Sequence, residues 1–201
     1  MPVRPSLAAR AVLSGALLLA LTGCISLGRG KVPATLVTLT AERSAAPGAG
    51  VSGRPETALV VFDPEVDRVL EVQRVAVTVD ESNVAYLKGA LWAERPARLF
   101  GTLLAETLRA KATRLVFAGD ERGAAAGRTR LTGRLLALGY DAPSRSVVVR
   151  YDGVRSETGG DVSTRRFESR IKVRRDDPAT IGPALNQAAN AVAGQVADWL
   201  Q

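Results

Sequence analysis

The chain has 201 residues, with 27 Lys and Arg against 20 Asp and Glu, no histidine, one cysteine and a formal net charge of +7. The missing histidine removes the commonest general base and metal ligand, and a lone cysteine excludes an intramolecular disulfide. No G-x-S-x-G, P-loop or dinucleotide fingerprint occurs, so the familiar routes to acyl transfer, nucleotide hydrolysis and hydride transfer lack their sequence marks.

The chain opens with a basic stretch holding Arg4 and Arg10. An uncharged run follows from Ala11 to Leu21. A transmembrane helix needs about 20 apolar residues. This run is shorter and has the length of a signal-peptide core. Leu21-Thr22-Gly23-Cys24 comes next and resembles the lipobox of bacterial lipoproteins. The resemblance implies residues 1–23 as a signal peptide, cleavage between Gly23 and Cys24, and a covalent diacylglycerol and N-acyl lipid on Cys24. It implies no other cofactor. The competing reading is a secretory leader with a chance cysteine. Loss of Arg4 and Arg10 lowers the charge to +5. In an exported chain that balance points to anionic head groups or an acidic partner rather than nucleic acid, or serves solubility alone.

Residues 24–57 read as the lipidated Cys24, a tether, a short β-type segment at Thr35 to Thr40 and a loop rich in Gly, Pro and Ala. Such a loop offers little apolar surface to offset the entropy of ordering it. A domain spanning 58–201 follows. Leu59 to Phe62 reads as a short buried strand. Val75, Val77 and Val79 alternate with Ala76 and Thr78, the period of a half-buried strand. Asp80 to Asn83 turns the chain, and Val84 to Leu87 returns as a hairpin partner. Pro96 to Lys111 is predicted helical, with Leu99, Phe100, Leu103, Leu104 and Leu108 on one stripe.

Leu115 to Phe117 is strand-like. The segment from Arg130 to Tyr140 is apolar on both faces near Leu135 to Leu138, which suggests a central strand. Val147, Val149 and Tyr151 share one face of the next. From Thr164 to Val173, Phe167, Ile171 and Val173 alternate with Arg166, Glu168, Arg170 and Lys172, and a one-residue slip would bury the charges. Pro178 to Leu200 is predicted as a second helix, capped by Asp176 or Asp177. Its apolar face carries Ile181, Leu185, Ala188, Val192, Val196 and Trp199. Runs of strands punctuated by two helices indicate an α+β class: a mainly antiparallel sheet covered by two helices.

Carboxylates cluster at Asp63, Glu65 and Asp67, with a spacing that could place them together on an extended segment. A glycosidase needs such a pair in a cleft; a solvated strand end is the plainer reading. No catalytic, metal-binding or cofactor-binding residue is assigned, and the expectation is that the chain is not an enzyme.

Tyr86 to Pro96, with Trp92-Ala93-Glu94 at its centre, runs into the helix at Leu99-Phe100. This region, the Arg74 to Val77 strand upstream and the segment Asn186 to Trp199 resemble the ABC-type transport auxiliary lipoprotein family, the PqiC-like lipoproteins. The acidic stretch Phe62 to Glu71 has no clear place in that pattern. The resemblance implies an outer-membrane lipoprotein, lipid-anchored and facing the periplasm, that docks the MCE-domain protein of an ABC lipid transporter. Ile25, in place of the Asp that retains related lipoproteins in the inner membrane, fits the outer membrane. A second copy of the chain is a further candidate partner. The alternative is another non-catalytic envelope lipoprotein, one assisting outer-membrane protein or lipopolysaccharide assembly.

Trp92 and Glu94 are then a family-like corner: Trp92 as a core aromatic or a partner contact, Glu94 as an aid to the helix N-terminus. Arg166, Arg170 and Lys172 form the candidate partner surface, with plain solvation of that face as the alternative.

Overall fold

The computed structural model describes residues 35–201. The signal peptide, the Gly23–Cys24 cleavage site and the lipidation of Cys24 lie outside the described residues.

The long strand β6 (Thr129–Asp141) organises the sheet. One edge pairs antiparallel along its whole length with β7 (Ser146–Glu157), which pairs antiparallel with β8 (Val162–Lys172). The other edge takes three short strands in turn, all parallel: β1 (Leu59–Val61), β2 (Glu65–Val66) and β3 (Arg74–Thr78). Parallel β5 (Val116–Ala118) flanks β1, and antiparallel β4 (Val84–Leu91) flanks β3. The sheet is therefore mixed, with its longest ladders antiparallel, in the expected α+β class. Two helices complete the fold: α1 (Pro96–Lys111) and α2 (Pro178–Trp199).

The central position expected for β6 is what the apolar run around Leu135 produces. A bulge between Leu135 and Ala137 shifts the register. Strand faces alternate with period two, and one extra residue reverses the phase. Leu131 and Leu135 before the bulge, and Leu138 and Tyr140 after it, thus all reach the core. Both helices lay their apolar stripes here. Phe100 of α1 packs on Tyr151 of β7 with ring centroids 5.4 Å apart, and Phe167 of β8 packs on Trp199 of α2 at 5.5 Å. Such tilted aromatic pairs add about 0.5–1.5 kcal/mol beyond their burial. The Tyr151 hydroxyl donates to the Thr132 carbonyl at 2.7 Å. A Cβ at Gly133 would stand 2.6 Å from that hydroxyl oxygen, so a glycine there makes the contact possible.

The helix ends follow local chemistry. Pro96 opens α1, and Arg109 and Lys111 close it, where cations favour the carbonyl end. Asp177 caps α2 by accepting the Thr180 N–H at 2.8 Å. Residues 43–57 are exposed and irregular apart from a 3-10 turn at Pro55–Thr57.

Residues 35–42, placed with the tether in the sequence reading, are bonded to the compact body, so the domain begins before Ala58. The Val37 N–H donates to the Leu91 carbonyl and the Ala93 N–H to the Val37 carbonyl, both at 2.8 Å. Leu39 is buried in the core. The sequence shows only a five-residue apolar alternation there. Its partners, on β4 and α2, are far away along the chain.

Candidate functional site

The outer face of β6, β7 and β8 carries the residues expected to meet a partner. Phe167 turns into the core, so Arg166, Glu168, Arg170 and Lys172 turn outward at successive alternate positions. The three cations share one face, yet none stands free. Arg166 forks onto Asp152 of β7, with Nε and Nη2 each 2.7 Å from a carboxylate oxygen. Arg150 and Arg170 converge on Glu168. Lys172 Nζ donates to the Ser144 carbonyl at 2.7 Å. One strand inward, Arg134 bonds Asp67.

These bonds shift the carboxylates. The Arg166 guanidinium holds Asp152 below its ordinary value, and Asp152 in turn raises Arg166. Partial burial pushes Glu168 up, but the hydrogen bonds from Arg150 and Arg170 outweigh it and leave Glu168 lowered. The face is thus a lattice of alternating charge. A partner would read its pattern rather than a net positive potential. Exposed pairs of this kind add little to stability, since water screens them.

The Trp92–Glu94 corner faces the other way. Trp92 is buried, 1% exposed, and its backbone bridges Val37. Its side chain belongs to the core, and a direct partner contact is ruled out by that burial. Glu94 Oε1 accepts the Arg95 N–H at 2.9 Å, at the residue that precedes the first turn of α1. Arg95 itself makes no side-chain cap. Glu94 therefore supplies an acceptor at the helix entry.

The carboxylates at 63, 65 and 67 separate. Asp63 packs against α1 beside Gly101, 3.6 Å from Arg98. Burial raises its carboxyl above the ordinary value, Arg98 opposes this, and Asp120 adds to it. Glu65 is exposed in β2, and Asp67 reaches Arg134. Among the described residues no three His, Cys, Asp or Glu side chains gather as metal ligands.

Two positions of the family-like segment Asn186 to Trp199 have a role that the sequence did not show. Asn186 and Asn190, one helical turn apart on α2, hold the arriving segment. Asn186 Oδ1 accepts the Thr40 N–H at 2.7 Å, and Asn190 Oδ1 accepts the Glu42 N–H at 2.8 Å. Besides the family resemblance of that segment, the signal is an i, i+4 amide pair on one side of the helix.

The family model for the ABC-type transport auxiliary lipoprotein component matches residues 38–197. The chain belongs to this family. The match starts inside the segment that Asn186 and Asn190 hold, so this auxiliary lipoprotein counts that segment within its family core. Two solved structures share the fold. A Xanthomonas campestris protein of the DUF330 family is 16% identical with a TM-score of 0.67, over 83% of this chain and 94% of that one. An uncharacterized protein is 16% identical with a TM-score of 0.63, over 76% and 97%. At such identity the likeness concerns fold alone. No curated protein matches the auxiliary lipoprotein. None of the described helices is long and apolar enough to cross a membrane.

Proposed function

We propose that this auxiliary lipoprotein is anchored by the lipid on Cys24 in the outer membrane, faces the periplasm and docks the periplasm-spanning MCE protein of an ABC lipid transporter, with no chemistry of its own. Membership of the transport auxiliary family over residues 38–197 carries the reading. The clamped segment supports it. Thr35 stands 11 residues after Cys24, a reach of at most about 40 Å for extended chain. The folded body is held close to whatever membrane takes the anchor, and three acyl chains suffice for stable attachment, since two already do.

The outer face of β6 to β8 is the docking surface in this reading. Its paired charges specify orientation and exclude wrong partners, while affinity comes from a desolvated patch within that rim. The test is recovery of the tagged full chain from its own host in mild detergent, or after crosslinking in cells. Co-recovery of an MCE protein is the expected result. Its consistent absence in both formats overturns the docking role. Co-recovery of an outer-membrane assembly factor instead points to the assembly alternative.

A further inference from the structure

A cleft of about 470 Å³ opens where α1 and α2 end, apart from the outer sheet face. Leu59, Leu108 and Leu200 form its apolar floor, and Lys111, Arg114 and Arg155 stand at its rim. Its volume falls in the range of small-molecule sites. Two of the cations are answered. Lys111 bonds Asp198 at 2.8 Å, and Arg155 bonds Glu157 at 2.5 Å. Arg114 has no carboxylate partner among the described residues. Among the described residues its side chain makes one hydrogen bond, a long one of 3.5 Å to Thr129 Oγ1, although a guanidinium carries five donors.

Burial and the neighbouring Arg155 both draw the Arg114 guanidinium below its ordinary value, against a smaller opposing pull from Glu157. A half-buried cation held beside a second cation is costly unless an anion joins it. The negative ends of the two helices offset part of that cost. The floor adds the second requirement, an apolar body behind the anionic head.

We propose that this cleft binds a single-chain anionic amphiphile, its head group on Arg114 and Arg155 and its alkyl chain along Leu59, Leu108 and Leu200. The site is separate from the docking face, and its occupancy needs no protein partner. A fork-shaped guanidinium suits a carboxylate or a phosphate equally, so the head group is left to experiment.

The full chain, held in phosphatidylcholine nanodiscs, is irradiated with a twelve-carbon carboxylate bearing a diazirine, and the labelled peptides are mapped by mass spectrometry. Label is expected in the peptides holding Leu108 to Arg114 and Ala197 to Gln201. Arg114→Gln should cut it at least fivefold. Arg155→Gln should cut it as well, and this half-buried, less enclosed substitution decides the matter if Arg114→Gln fails to fold by far-ultraviolet dichroism. Competition by laurate assigns a carboxylate head and competition by dodecyl phosphate a phosphate head; either supports the site. Absence of label there, label unchanged in the folded variants, or equal competition by neutral dodecanol overturns it.

Discussion

The Asn190 side chain acts as a strand toward Thr40: its Nδ2 donates to the Thr40 carbonyl at 2.9 Å, while its Oδ1 accepts from the Glu42 N–H. A carboxamide reproduces the donor and acceptor of a peptide unit, so a helix here completes the backbone bonding of an extended segment. Asn190→Ala leaves both backbone groups without that partner. The expected loss is about 1–2 kcal/mol, read by chemical denaturation. Amide exchange at Glu42 should accelerate while the β6–β7 amides stay protected. Unchanged exchange at Glu42 would show that the clamp contributes nothing.

Gly101→Ala should destabilise, although alanine ordinarily favours a helix by about 1 kcal/mol over glycine. A Cβ at this buried position would meet Asp63 Oδ1 at 2.2 Å and the Asp63 Cα at 3.2 Å. The Asp63 carboxylate must turn away from Arg98 and the Asp63 Cα must give by a few tenths of an ångström, at about 1–3 kcal/mol for overpacking. A urea midpoint equal to or above the wild type would contradict the contact.

Acid should weaken the outer face. The folded pKa of Asp152 and of Glu168 lies below its ordinary value. Each pairing is therefore fully present above the unfolded pKa, near pH 4, and is lost as pH falls through the folded one. Melting temperature should drop as pH falls below the ordinary carboxylate range and through the lowered folded values, and Arg166→Gln should flatten the Asp152 share of that drop. Asp63 has the opposite sign. Its raised carboxyl costs stability at neutral pH, and that cost is relieved as pH falls through the folded value. Carboxyl resonances followed through an acid titration separate the groups; an Asp152 midpoint at or above its ordinary value would refute the pairing.

Reversing Arg166, Arg170 and Lys172 to Glu should weaken recovery of the MCE protein and change its salt dependence, with far-ultraviolet dichroism native-like. The reversal places like charge beside Asp152 and Glu168, so a modest fall in melting temperature accompanies it. Full recovery with an unaltered salt profile would remove this face as the docking surface and leave the docking role to be sought elsewhere on the domain.

Mass spectrometry of the native protein should show Cys24 as the first residue, carrying diacylglycerol and an N-acyl chain, and sucrose-gradient fractionation should place the protein with the outer membrane. An unmodified Cys24 would end the lipid-anchor reading. A lipidated protein in the inner-membrane fractions would end only the assignment of membrane.

Local periodicity by itself determined the long elements of this protein. The helical stripes of 96–111 and 178–199, the alternation along β8 and the two-faced apolar character of β6 are written in neighbouring residues, because side-chain direction follows from backbone period alone. So is the family core, through Trp92 and Glu94 at the entry to α1. Tertiary structure alone decided what separated residues do together. Short β1, β2, β3 and β5 join a parallel arrangement because β6 is long enough to receive the first three along one edge. Phase reversal at the β6 bulge depends on its partner β7. Asn190 meets Thr40 across 150 residues of chain, Arg166 finds Asp152 in a neighbouring strand, and Arg114 is left without a carboxylate among the described residues by the way two helix ends converge. Charge and hydrogen-bonding capacity are properties of a residue, but whether they are satisfied is a property of the fold, since the interactions that satisfy them act over a few ångströms of space and not along the sequence.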